Sequence, residues 1–317
     1  GPGGVSAAFL ELLRPKIAKA GAERGGTILV RELVDDAVRR QTNRVYSLET
    51  VSRGSLLSLT KADFDDDGDA GRDANRDAEG VLRRLDAVIG LRGVKAHVRS
   101  LAAQMQLDQK RRLCGLAAHG RAGQSMHMIF SGNPGTGKTT IGRLVAELLT
   151  ALGKLPKGHL VETDRAGLVA PYCGQTALKV QEVVRSAIGG MLFVDEAYAL
   201  VKDPKDTFGK EALDTLIKLV EDHRDDLVVV LAGYPAEMEE LLSHNPGVRS
   251  RFPTVIQFDD YEVNELEQIA GGMLAKASMR LDDGAKAAMR KTFEAIVKAG
   301  GKESGNGRAV RNVVEKA

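Results

Sequence analysis

Gly132, Gly135, Gly137, Lys138 and Thr139 fall in the pattern G-x-x-x-x-G-K-[ST]. Glycines at such a bend let backbone N–H groups turn inward around a phosphate with no Cβ in the way. Lys138 then reaches the β- and γ-phosphates of a nucleoside triphosphate, and the Thr139 hydroxyl ligates Mg²⁺. The loop Asn133, Pro134, Gly135, Thr136, Gly137, Lys138, Thr139 and Thr140 is the candidate cradle, with ATP or ADP and Mg²⁺ as expected ligands. Downstream, Asp195 and Glu196 close the apolar run Met191-Leu-Phe-Val194. Asp195 suits Mg²⁺, directly or through water, and Glu196 suits orienting and activating an attacking water. An apolar strand capped by acids is a weak signal alone; downstream of a phosphate loop it becomes a strong one.

Three arginines complete the set. Arg249 and Arg251 lie in Asn245-Pro-Gly-Val-Arg-Ser-Arg-Phe252, ahead of the last expected strand. Arg251 is the candidate for a finger given in trans to a neighbour's γ-phosphate, with Arg249 as second finger or network partner. The plainer alternative is two surface arginines. Arg308, in Gly305-Asn-Gly-Arg-Ala-Val310, opens a helix from which it can reach back over the phosphates; otherwise it is a surface residue of a first turn.

These residues need a scaffold, and the hydrophobic pattern supplies one. Met126 to Phe130 reads as a buried strand before the loop. After it, Ile141, Leu144, Val145, Leu148 and Leu149 mark one face of a helix. Further strands are expected at His159 to Glu162, Met191 to Val194, Leu227 to Ala232 and Thr254 to Phe258, with amphipathic helices between them. Five strands alternating with helices imply an α/β fold, a parallel sheet covered on both faces. Ligands of such sheets bind at the carboxyl ends of the strands, where both motifs fall. From Asp259 onward the pattern is helical only, a small all-α lid.

Composition excludes several classes. The 317 residues carry a net charge of +2, too little to imply nucleic acid or an acidic membrane as partner. Cys114 and Cys173 form no C-x-x-C, which fits a reducing intracellular compartment, the cytoplasm first and a plastid or other organelle second. No apolar run approaches the roughly 18 residues that span a bilayer. Gly1-Pro2-Gly3-Gly4 reads as a cloning remnant.

Expected boundaries are an N-terminal helical segment at 1–64, an acidic linker at 65–79, the α/β domain at 80–258 and the lid at 259–317. The segment Ala7 to Ala37 aligns without gaps on Ala287 to Ala317, with Ile28 where the second copy has Arg308. It reads as the tail of a preceding module in a tandem protein. On that reading the lid ending at Ala317 is truncated, and Val38 to Phe64 shows its missing end. Asp63-Phe-Asp-Asp-Asp-Gly68 starts like a calcium loop, but Ala74 stands where the bidentate Glu belongs, so a solvated linker is preferred.

Together these residues resemble the AAA+ ATPases of the CbbX/CfxQ group, with its SpoVK and EccA relatives. The resemblance covers about Gly80 to Ala317. It is dense at Ser131-Gly-Asn-Pro-Gly-Thr-Gly-Lys-Thr-Thr140, Lys157-Gly-His-Leu-Val-Glu162, Gly189-Gly-Met-Leu-Phe-Val-Asp-Glu-Ala-Tyr198, Arg224 to Tyr234 and Asn245 to Arg251. It implies a homo-oligomeric, hexameric ring with ATP between subunits. It places Val88, Ile89, Gly90 and Leu91 at the adenine and Arg308 as lid sensor. It makes Tyr172-Cys173-Gly174 a pore loop that grips an extended protein substrate, and Lys202 to Lys210 a second pore loop. Near Gly233-Tyr234 the family's Asn or Thr sensor is absent. The expected activity is ATP hydrolysis that drives protein remodelling. The alternative is a nucleotide-binding scaffold that hydrolyses little. A helicase is disfavoured by the charge and the lack of a basic-aromatic stripe.

Overall fold

The computed structural model describes residues 69–113, 125–172, 174–201, 206–300 and 305–316. The chain divides into two compact units, residues 1–72 and Asp73–Ala317; almost everything described belongs to the second. The repeat at Ala7 to Ala37, the segment Val38 to Phe64, the acidic loop from Asp63 and both cysteines lie outside the described residues.

Five parallel strands form the sheet: β1 (Met128–Gly132), β2 (Leu160–Thr163), β3 (Met191–Val194), β4 (Val228–Gly233) and β5 (Thr254–Phe258), in the order β2-β3-β4-β1-β5. Every residue of β1, β3 and β4 is buried, the mark of strands covered on both sides. Alternate side chains serve the two faces. Phe130, Met191, Phe193, Val228, Val230 and Phe258 join one core. Ile129, Leu192, Val194, Val229 and Leu231 join the other. Helices α1 (Asp69–Ala87), α2 (Arg92–Leu113) and α3 (Lys138–Ala151) send Leu85, Val94, Val98, Ile141 and Val145 into the first core. The short α4 (Arg165–Leu168), α5 (Thr176–Ala187), α6 (Thr207–Asp222) and α7 (Pro235–His244) supply the second. A short helix α8 (Pro246–Arg251) leads into β5.

The lid is α9 (Val263–Lys276), α10 (Asp283–Ala299) and α11 (Asn306–Lys316). A capping box formed by Glu262 and Glu265 starts α9, and the Asp282 carboxylate caps α10 by accepting from the Ala285 N–H.

Two expectations change here. Helix α1 begins at Asp69, inside the stretch read as an acidic linker. That stretch lacks proline, carries Ala70, Ala74 and Ala78 and puts an acid at the positive end of the helix, so the helix that buries Ala78 and Leu85 begins within it. The strand before the phosphate loop starts at Met128 and runs into Gly132, which pairs with Phe258.

Candidate active site

The phosphate loop links the buried end of β1 to the first turn of α3. Gly132 is required by close approach: a Cβ there would lie 2.6 Å from the Phe258 Cβ. Gly137 caps α3 with a left-handed backbone, and no side chain caps the helix. The first-turn N–H groups are therefore not engaged by a side-chain cap, which is what an anion site needs. The Lys138 amine folds back to donate to the carbonyls of Gly132 at 2.7 Å and Asn133 at 2.9 Å. Burial holds its pKa below the ordinary lysine value; Asp195 opposes this, Arg308 adds to it, and Glu196 and Asp260 oppose it. One buried ammonium is thus within electrostatic reach of both acids and the lid arginine. The cradle and the two acids fit a Mg²⁺-nucleotide.

Strands β1 and β3 are not neighbours, because β4 lies between them. The acids meet the loop across the carboxyl end of β4. Asp195 accepts from the Glu196 N–H at 3.0 Å, and Glu196 has a left-handed φ of 48° with its side chain exposed. Tyr234, the residue after β4, donates its hydroxyl to Glu196 Oε1 at 3.1 Å. Its ring centroid lies 5.8 Å from the Lys138 Nζ. Sequence reasoning missed this contact by seeking Asn or Thr; the signal available was position, a hydroxyl at the end of the central strand.

Leu91 reaches the same place; Gly90 lies against the start of the lid, where a Cβ would stand 2.7 Å from Glu265 Oε1, and Ile89 is half-buried before it. Leu91 is buried, and a Cβ on Gly137 would stand 3.7 Å from its Cδ1. Thr139 is half-buried on the first turn of α3, with Thr140 exposed beside it. Arg308 sits at the start of α11, and its turn docks on the loop. Gly307 N–H donates to Gly135 O at 3.1 Å, and a Cβ on Gly135 would lie 2.3 Å from Gly305 O. Asn306 joins the parts: its Nδ2 donates to Asp260 Oδ1 at 2.8 Å and Pro134 O at 3.3 Å, and its Oδ1 accepts from the Tyr261 N–H at 2.9 Å. Asn133 donates to both oxygens of Asp260, at 3.0 and 2.9 Å.

The structure does not bring Arg249 or Arg251 to this loop. Arg251 precedes β5, whose first residue pairs with Met128 at the amino edge of the sheet. Its Nε lies 3.3 Å from Glu221 Oε2, an ion pair without hydrogen-bond geometry, beside a cleft of about 220 Å³ lined by His127 and Arg224. Arg249 lines a different cleft with Ser131, Met238 and Gln257.

Tyr172 projects between α4 and α5, 68% exposed. The base of its loop is pinned by Lys179, which donates to Ala166 O at 2.7 Å and Val169 O at 3.0 Å. Of the stretch Lys202 to Lys210, residues 202–205 lie outside the described residues, while Thr207 to Lys210 are the first turn of α6. Asp206 is not a solvated charge: it caps that helix through Gly209 N–H and pairs with Arg165.

Residues 128–260 match the family described as "ATPase family associated with various cellular activities (AAA)", and residues 262–317 match an AAA lid domain. Stage V sporulation protein K of Bacillus subtilis is 38% identical over 90% of this chain and 88% of its own length. Protein CbbX of Cereibacter sphaeroides is 42% identical over 76% of this chain and 77% of its own. The ESX-1 secretion system protein EccA1 of Mycobacterium leprae is 43% identical over 74% of this chain, but that is 42% of its own length. Among solved structures, the FIGL-1 AAA domain in complex with ADP is similar in fold, with a TM-score of 0.50, 22% identity and coverage of 72% of this chain and 70% of that one.

Proposed function

This chain belongs to the AAA ATPases, and from that premise we propose an ATP-driven protein remodeller that works as a ring of identical subunits. The observation that carries the reading is one set of contacts at a helix start with no side-chain cap: Lys138 lies over the Tyr234 ring, the Tyr234 hydroxyl donates to Glu196, and the lid turn at Gly307 donates to Gly135 of the loop.

The roles follow from charge and position. The N–H groups of the loop and the Lys138 amine hold the phosphates. Thr139 and Asp195 would hold Mg²⁺, which supplies charge neutralisation at the β- and γ-oxygens. Glu196 accepts a proton from the attacking water. Ile89, Gly90 and Leu91 line the adenine side, and Arg308 carries the nucleotide state into the lid. Arg251 serves the site of a neighbouring copy, with Arg249 in support. Its place at the opposite edge of the sheet supports service in trans, since it lies far from the loop of its own subunit. Tyr172 grips an extended protein segment: an exposed phenol on a pinned loop makes contacts that do not depend on substrate sequence. On this reading the segment at 1–64 belongs to a preceding module's lid.

The second reading is a nucleotide-binding scaffold that hydrolyses little. The lid turn pressed on Gly135, together with a lysine amine already satisfied by two carbonyls, favours it. Steady-state phosphate release by the parent and by Glu196→Gln separates the two. The motor reading expects a fall of at least about a hundredfold in the variant. Equal rates would leave only the scaffold.

A further inference from the structure

Glu196 poses a mechanical problem. A base must point at its water, yet this carboxylate is exposed and sits on a left-handed residue in the turn two positions beyond β3. A contact from another element can fix its direction. That contact is Tyr234.

The phenol is well placed to act as a rigid arm. It follows β4, the strand between the one that carries the acids and the one that carries the phosphate loop. A tyrosine has few rotatable bonds, so a packed ring places its hydroxyl with little freedom. The backbone at its base is closely packed: a Cβ on the preceding Gly233 would lie 2.5 Å from Met238 Sδ and 2.8 Å from Tyr198 Cδ1. The Tyr198 ring, itself buried, backs the Tyr234 ring at 5.4 Å between centroids. Burial first, then the hydrogen bond and charge of Glu196, push the Tyr234 hydroxyl above its ordinary pKa. It therefore remains a proton donor near neutral pH. The face of the same ring carries the Lys138 ammonium.

We propose that Tyr234 is a positioning residue for hydrolysis: its hydroxyl aims the Glu196 carboxylate, and its ring ties that aim to Lys138. The two ends of one rigid side chain thus touch the group that activates water and the group that binds phosphate. When Lys138 leaves the carbonyls of Gly132 and Asn133 for a phosphate, the ring beside it stays in place and holds the Glu196 carboxylate in the same direction. The inference rests on the reading of Glu196 as the base.

Tyr234→Phe tests it, because the variant keeps the ring and removes only the hydroxyl. The turnover number should fall roughly tenfold or more, while the Kd of a non-hydrolysable ATP analogue stays within about twofold. In a Glu196→Gln background the same change should alter the residual rate by less than about twofold, since a group acting through Glu196 has nothing left to aim. Parental turnover in Tyr234→Phe overturns the proposal. So does an equal loss in both backgrounds, which marks a structural role, or a loss carried by the Kd, which marks a binding role. Parental turnover in Glu196→Gln alone would instead overturn the assignment of the base, whatever Tyr234→Phe does.

Discussion

Asn306 illustrates how much one side chain can join. It is 1% exposed and links the last strand's exit, the phosphate loop and the first turn of the lid. Its φ of 44° is left-handed, a conformation that Asn accepts more readily than most residues. Removing the amide leaves the buried Tyr261 N–H without that acceptor, at a cost of about 1–3 kcal/mol. Asn306→Ala adds about 1–2 kcal/mol of left-handed strain that Asn306→Gly escapes. Both variants should melt below the parent by several degrees, with the alanine variant lower than the glycine one. Parental melting of Asn306→Ala would remove Asn306 from this role.

At the scale of elements, β1 is held from both ends. Its carboxyl end is the phosphate loop; its amino end is anchored by His127, between the end of α6 and the start of β4. His127 Nδ1 accepts from the Val229 N–H at 3.0 Å, Nε2 lies 3.3 Å from Val220 O, and the ring lies 5.5 Å from that of Phe252. An Nδ1 that accepts and an Nε2 that donates define the neutral tautomer. Burial pushes the pKa of the imidazole down to about 4. The unfolded chain takes up this proton near pH 6.5 and the folded one only near 4. The stabilisation is therefore complete above pH 6.5 and drains away as pH falls toward 4. Urea unfolding at pH 7 and pH 5 should differ by about 2 kcal/mol from this group alone. His127→Gln should flatten that slope, and an unchanged slope would exclude His127 as its source.

The whole molecule raises the question of where a finger arginine can act. The five residues of β5 separate Arg251 from the phosphate edge by roughly 16 Å. In this subunit the guanidinium leans on Glu221 instead. A site shared between copies predicts complementation. Lys138→Ala has no working loop and Arg251→Ala gives no finger, so each alone should be inactive. An equal mixture should recover about a quarter of the parental sites, the fraction that pairs an intact loop with an intact arginine across a joint. A mixture as inactive as its parts would show that Arg251 does not act on a neighbour. The likeness to the sporulation protein leaves only about a tenth of this chain outside it, so it takes in part of 1–64. Among the described residues no helix is long and apolar enough to cross a membrane.

Glycines at 132, 135 and 137, the lysine and threonine after them, and an apolar run ending in two acids were legible because their chemistry is local: a phosphate loop needs those residue types at that spacing wherever it occurs. Continuous apolar runs marked the strands, because both faces of a parallel sheet are buried. The helix from Asp69 was not legible, since polarity alone does not distinguish a linker from the solvent-facing side of a helix. Nor was the strand order, which decides that Tyr234 stands between Lys138 and Glu196. The meeting of Asn306 with Tyr261 and Pro134 likewise joins residues up to 172 positions apart. Contacts of that span leave no local pattern, because they arise only when separate elements pack.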